Sequence, residues 1–125
     1  MTTDRPAQKL EALIAAGQSL AAVDEARHLL EAAASLAPAD LAAIHHELGR
    51  AQTRNRDFTA ADEAFAKAID LAPQQPVYHL NRGIANYGAG ALDAAAIAFD
   101  RACRISPDFT YAIYWRGYVA AQQGQ

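Results

Sequence analysis

The sequence predicts an all-α protein, a right-handed superhelical solenoid of about seven helices. Three glycines, Gly49, Gly83 and Gly117, lie 34 residues apart, which is the period of a structural repeat. Phenylalanine recurs at the same interval, at Phe65 and Phe99, and no segment shows the two-residue alternation of a β-strand. A unit this short cannot bury its own apolar face, so neighbouring units are expected to stack.

The repeat register assigns each element in order along one domain, residues 1–125. We expect a degenerate N-terminal hairpin at 7–41, a repeat at 42–75, a second at 76–109, and the first helix of a third, truncated repeat at 110–125. Within a full repeat, Ala61, Phe65 and Ala68 share one face of the second helix. The first helix carries Gly49, and because glycine weakens a helix, its recurrence indicates a close approach of two helices.

Five recurring positions resemble the tetratricopeptide repeat. They are Gly49, Ala61, Phe65, Ala68 and Pro73, repeated as Gly83, Ala95, Phe99, Ala102 and Pro107. The resemblance covers about residues 42–124. It implies helical hairpins whose first helices line a concave groove. His45 and His79 depart from the family pattern, which has a large apolar residue at that position.

Composition argues against several classes of function. The chain has 125 residues, 52% of them hydrophobic, and a formal net charge of −3, which gives no basic footprint for nucleic acid. No apolar run approaches the roughly 20 residues that cross a bilayer, and Met1–Leu10 shows no secretory signal, so neither nucleic acid nor a membrane is an expected partner. The expected location is the cytoplasm.

The resemblance implies a non-enzymatic protein-interaction module that binds a peptide or a partner helix in the groove. The groove would run from a basic end to an aromatic end, and Asn81 would either bond a peptide backbone or have no ligand. The predicted groove residues are His46, Arg50, Arg54, Leu80, Asn81, Ile84, Tyr87, Tyr111, Tyr114, Trp115 and Tyr118.

Two alternatives concern the C-terminal part of the chain. The stripe formed by Tyr111, Trp115 and Tyr118 would either bind a partner or pack on a following helix. Gly124 lies one period after Gly90, so the chain is either a fragment of a longer protein or closes its own stack with the last helix. As a fragment, it would be the accessory repeat region of a larger enzyme, such as a sulfotransferase or a glycosyltransferase.

The sequence predicts no catalytic site, no cofactor and no metal, because no acid–base pair or Gly-rich phosphate loop is found. A weaker alternative is a metal site at His45, His46 and His79, for which Glu47 is the only obvious carboxylate. Cys103, the single cysteine, is equivalent to Ile69 and is expected to be a buried apolar residue.

The last helix is expected to expose apolar surface. If no second helix follows it, its inner face, with Ile113, Gly117 and Ala120, is uncovered. The segment 111–121 is then expected to self-associate, most simply as a two-fold homodimer.

Overall fold

The structure, a computed structural model, describes residues 5–124 and is helical throughout that part, without a strand. The prediction of a solenoid of seven helices is confirmed for the described residues. Residues 1–4 and Gln125, the two ends of the predicted domain, lie outside them, and so does the start of the segment Met1–Leu10. The helices are α1 (Gln8–Ala15), α2 (Ser19–Leu30), α3 (Pro38–Arg54), α4 (Phe58–Leu71), α5 (Pro76–Gly88), α6 (Leu92–Ile105) and α7 (Thr110–Gln123), with a 3-10 turn at Ala33–Ser35.

The helices form two layers. Each helix packs on its neighbour in the chain, and α1, α3, α5 and α7 also contact one another in succession. These odd-numbered helices are therefore the layer that lines the groove, and α2, α4 and α6 form the outer layer. No helix of residues 5–124 is long and apolar enough to span a membrane.

Proline begins two of the groove helices. Pro38 starts α3 and Pro76 starts α5, each at the position where a missing N–H costs no helical hydrogen bond. Pro76 coincides with the predicted start of a repeat. The helix that begins at Pro38 starts before residue 42, where the repeat register places its first residue, and α3 is consequently the longest helix.

The core explains why glycine recurs. Phe65 and Phe99 are fully buried, and each ring lies against a glycine of the preceding helix. A Cβ built on Gly49 would lie 2.7 Å from Cε1 of Phe65, and one built on Gly83 would lie 2.5 Å from Cε1 of Phe99. Each phenylalanine ring thus occupies the space that a side chain at the facing glycine would need. Cys103 is buried beside Phe99, as predicted.

The turns between paired helices share one geometry. Gly90, after α5, has φ of 81°, which glycine adopts without steric cost. Its equivalent one repeat earlier is Arg56, with φ of 63°. The Arg56 guanidinium lies 5.3 Å from the centre of the Phe58 ring, a cation–π contact that helps to hold this less favourable backbone.

Candidate functional site: the concave groove

A cleft opens between α3 and α5 on the concave side. Its volume is about 340 Å³. It brings together four predicted groove residues, Arg50, Arg54, Asn81 and Ile84, and Thr53 and Phe65 complete the lining. The Thr53 hydroxyl donates to the Gly49 carbonyl at 2.8 Å, which leaves the two arginines and the Asn81 amide as the polar groups available in the cleft.

A buried polar chain lies under this cleft and links α3 to α5. Nδ2 of Asn81 lies 2.8 Å from Nε2 of His46, and Nδ1 of His46 lies 3.1 Å from Oε2 of Glu47. Oε1 of Glu47 accepts a hydrogen bond of 2.6 Å from Nη1 of Arg50. Two of the polar residues that reach the cleft, Asn81 and Arg50, are therefore positioned by His46 and Glu47.

Two predicted groove residues lie beneath the groove surface. His46 is only 7% exposed, and its ring stacks on Tyr78 at a centroid distance of 4.5 Å. Leu80 is 6% exposed and belongs to the core cluster around Phe99. These side chains support the groove from below, which places them out of reach of a ligand on its surface.

The charge of Glu47 is stabilised by its neighbours. Burial favours the neutral carboxyl and acts to raise its pKa. The hydrogen bond to His46 and the positive charge of Arg50 outweigh burial, so the pKa lies below its ordinary value of 4.5. Glu47 is therefore a buried carboxylate whose role is to anchor Arg50.

Stability should fall in acid as Glu47 is protonated. Because its folded pKa is depressed, its contribution is complete above about pH 4.5 and is lost as the pH falls through the lower, folded value. Glu47→Gln should cost about 1–2 kcal/mol at neutral pH, since a charge-assisted hydrogen bond becomes a neutral one. Urea unfolding followed by circular dichroism at neutral and acidic pH measures both effects.

The matched control for this experiment is Glu63→Gln, at an exposed position of α4. It should leave the acid dependence of the wild-type chain unchanged, whereas Glu47→Gln should flatten it below about pH 4.5. Equal acid dependence in the wild type and in Glu47→Gln would contradict the assignment of Glu47 as a buried anchor.

The aromatic end of the groove is formed by α5 and α7. The Tyr87 and Tyr118 hydroxyls are 3.3 Å apart, and Nε2 of Gln122 donates to the Tyr87 hydroxyl at 3.1 Å. Trp115 is half-buried and stacks on Phe99 at a centroid distance of 5.5 Å. Tyr114 stacks on Tyr118 and is 63% exposed. These contacts partly fix the orientations of the aromatic side chains at this end of the groove.

Tyr111 lies at the start of α7 and is 70% exposed, more than any other aromatic residue of the described part. The sequence placed Tyr111, Trp115 and Tyr118 on one stripe. In the structure, Trp115 and Tyr118 are in edge-to-face contact at a centroid distance of 5.9 Å. Trp115 also packs against the core cluster around Phe99, whereas Tyr111 and Tyr118 are exposed.

The three histidines of the metal alternative have other environments. His46 is held by Glu47 and Asn81, and Nε2 of His79 lies 3.0 Å from the Pro73 carbonyl. His45 is partly buried, and burial together with the charge of Lys67 lowers its pKa. Within residues 5–124, no three His, Cys, Asp or Glu side chains converge as metal ligands. The sequence reasoning considered Glu47 as the carboxylate of this weaker alternative and missed its structural role.

Comparisons with known proteins find similar repeat-containing sequences. A family model for the tetratricopeptide repeat matches residues 46–108. The small glutamine-rich tetratricopeptide repeat-containing protein 2 of Mycosarcoma maydis is 37% identical over 70 residues, which cover 56% of this chain and 20% of the relative. The aligned region is thus about a fifth of that relative's length.

A solved structure is similar over nearly the whole chain. It is a protein of Bacteroides ovatus described as a candidate protein-binding protein. The TM-score is 0.60 at 20% sequence identity, and the match covers 98% of this chain and 67% of that one. At this identity the likeness establishes the fold.

Proposed function

Since the chain belongs to the tetratricopeptide repeat family, we propose that it is a protein-interaction module whose concave groove holds an extended peptide of a partner protein. The names of the two similar proteins, one a repeat-containing protein and the other described as protein-binding, support this class of function. The module binds and presents its partner, and it carries out no chemistry of its own.

The basic end of the groove favours an acidic group. Arg54 is exposed and makes no ion pair within residues 5–124. Arg50 gives one nitrogen to Glu47, and a third of its side chain remains accessible. A carboxylate in the cleft would therefore meet one free guanidinium and the open edge of another, a geometry that suits charge-assisted hydrogen bonds.

The aromatic end favours an apolar or aromatic side chain. Tyrosine contributes a large apolar face and a polar tip, and it is enriched where proteins bind each other. Tyr114 and Tyr118 are already stacked, so little side-chain freedom is lost when a partner covers them. The observation that carries the proposal is this combination, an unpaired arginine and exposed tyrosines on the same layer of helices.

The test is selection of peptides from a random displayed library on the immobilised chain. Selected peptides should carry an acidic residue at one end and an aromatic or large apolar residue at the other. Arg54→Glu should weaken their binding by about tenfold or more, because it replaces an attraction by a repulsion in the cleft. Fluorescence anisotropy with a labelled selected peptide measures the loss.

The matched control is Arg101→Glu, which makes the same charge reversal at an exposed position of α6 in the outer layer. It should leave the affinity within about twofold, since a distant surface charge is screened by salt. Failure to select any peptide, or equal binding to the wild type and to Arg54→Glu, would contradict the proposed groove.

A further inference from the structure

A separate cavity, the outer cavity, lies on the side of the stack away from the groove. Its volume is about 280 Å³, and the outer-layer helices α4 and α6 form its walls. Its floor is one face of α5, which carries His79, Arg82 and Asn86. The groove residues of α5, Asn81 and Ile84, lie on another face. A ligand of the outer cavity would therefore leave the peptide groove free, and the inference goes beyond the proposed function.

Two side chains of this floor are held in place. Arg82 donates to Asp62 of α4 through Nε at 2.8 Å and through Nη2 at 3.4 Å, which orients the guanidinium. Nε2 of His79 donates to the Pro73 carbonyl at 3.0 Å, which orients the ring. The polar groups of the floor are thus ordered before any ligand arrives, so little side-chain freedom would be lost on binding.

The third residue of the floor, Asn86, has an unpaired amide. It is only 8% exposed, and its side chain has no hydrogen-bond partner in the described part of the chain. Buried polar groups are nearly always paired. Because Asn86 lines the outer cavity, its partner has to come from that cavity, as water or as a ligand.

Positive charge is in excess around the outer cavity. Two guanidiniums, of Arg82 and Arg101, and one carboxylate, of Asp62, line it. The charge of Asp62 is neutralised by Arg82. Arg101 is exposed and forms no ion pair among residues 5–124. The remaining positive charge favours an oxyanion, which accepts charge-assisted hydrogen bonds from a guanidinium.

The fold does not require an arginine on this floor. The residue one repeat before Arg82 is Leu48, which is buried in the core. The pair that Arg82 forms with Asp62 is partly exposed, and such pairs contribute little to stability. An arginine at a position that the preceding repeat fills with leucine is therefore better explained by ligand binding than by packing.

We infer that the outer cavity binds a small organic anion, a carboxylate or a phosphate ester that carries a short apolar part. Arg82, Arg101 and Asn86 would bind the oxyanion, and Ala94 and Ile97 of α6 would contact the apolar part. Pockets for drug-sized ligands usually have about 300–1,000 Å³. The smaller volume of the outer cavity suits a smaller ligand.

The probes that test this inference are phenyl phosphate and benzoate, each titrated into the isotope-labelled full chain at constant ionic strength. With at least one of them, the NMR signals of the Asn86 side-chain amide and of Arg82 Nε–H should shift saturably. Inorganic phosphate and acetate carry the anion without the ring. Each should bind at least about tenfold more weakly than the corresponding probe.

The decisive variant is Arg101→Glu, which should weaken binding of the probe by about tenfold or more because it reverses the charge that no partner neutralises. The position is exposed, so the helical signal and the unfolding temperature should be retained. Arg82→Leu should cause a similar loss of binding. Leu48 at the equivalent position indicates that the stack accommodates this side chain.

The matched control is Arg54→Glu, the same charge reversal in the peptide groove. It should leave the affinity for the probe within about twofold, since a distant surface charge is screened by salt. The two reversals thus have opposite expected effects on the groove and on the outer cavity. The two proposals can therefore fail separately.

Three results would overturn the inference. The first is the lack of a saturable shift at Asn86 with either probe, and the second is equal affinity of the wild type and of Arg101→Glu. The third is tighter binding of a blocked phosphoserine tripeptide than of both probes, which would assign the outer cavity to a modified segment of a partner protein.

Discussion

Phe99→Ala should lower the free energy of unfolding by about 3–5 kcal/mol. The ring is fully buried, fills the space beside Gly83, and stacks on Trp115 of the next helix. Its removal leaves a cavity where α5, α6 and α7 meet, and closing that cavity requires one repeat to shift against the next. Urea unfolding followed by far-ultraviolet circular dichroism measures the loss.

Phe65→Ala should cost a similar amount, because Phe65 has the same relation to Gly49 and lies against the His46 ring at a centroid distance of 5.7 Å. Tyr111→Ala is the control, since that side chain is 70% exposed and should change stability by about 0.5 kcal/mol or less. A loss below about 1 kcal/mol for either phenylalanine would show that the rings do not join the repeats.

The same substitution at two equivalent glycines should have opposite effects. Gly83→Leu should destabilise the chain by about 3 kcal/mol, because the first carbon of the new side chain already lies within 3 Å of the buried Phe99 ring. Gly117→Leu should stabilise it by up to about 1 kcal/mol, since leucine is the better helix former and a Cβ at this position meets nothing within 4 Å. Thermal unfolding of both variants shows whether each substitution raises or lowers the stability.

The two leucine variants serve as controls for each other. Helix propensity changes by the same amount at both sites, so the difference between their free energies of unfolding measures the steric clash alone. Gly124→Leu adds a third case, at the end of α7, where a Cβ would have only ordinary contacts and little effect is expected. If Gly117→Leu destabilised the chain as much as Gly83→Leu does, the space beside Gly117 would have to be filled in the folded chain.

The helical register could be predicted from the sequence because it depends only on the spacing of the recurring residues. The helix α7 (Thr110–Gln123) lies within the segment 110–125 that the register assigns to one helix, and Gly49 and Gly83 lie where the Phe65 and Phe99 rings contact a helix. The start of α3 was less predictable. Pro38 belongs by spacing to the end of the N-terminal hairpin, yet it begins a helix, because proline is compatible with both positions.

The site was less predictable than the fold because side-chain direction depends on distant contacts. His46 and Asn81 are 35 positions apart in the chain, and their hydrogen bond forms only because α3 and α5 are neighbours. A repeat position places both residues on the groove layer. It does not reveal that His46 points under the groove, toward Tyr78, or that Trp115 turns inward onto Phe99.

The polar chain beneath the cleft also fixes which hydrogen-bonding partner the groove accepts. A carboxylate only accepts, so the His46 nitrogen that faces Glu47, Nδ1, carries a proton. The amino group of Asn81 lies 2.8 Å from the other ring nitrogen, Nε2, so the amide oxygen of Asn81 is the atom turned away from the ring. For the proposed peptide ligand, the group that complements the Asn81 oxygen is a hydrogen-bond donor, such as a backbone N–H.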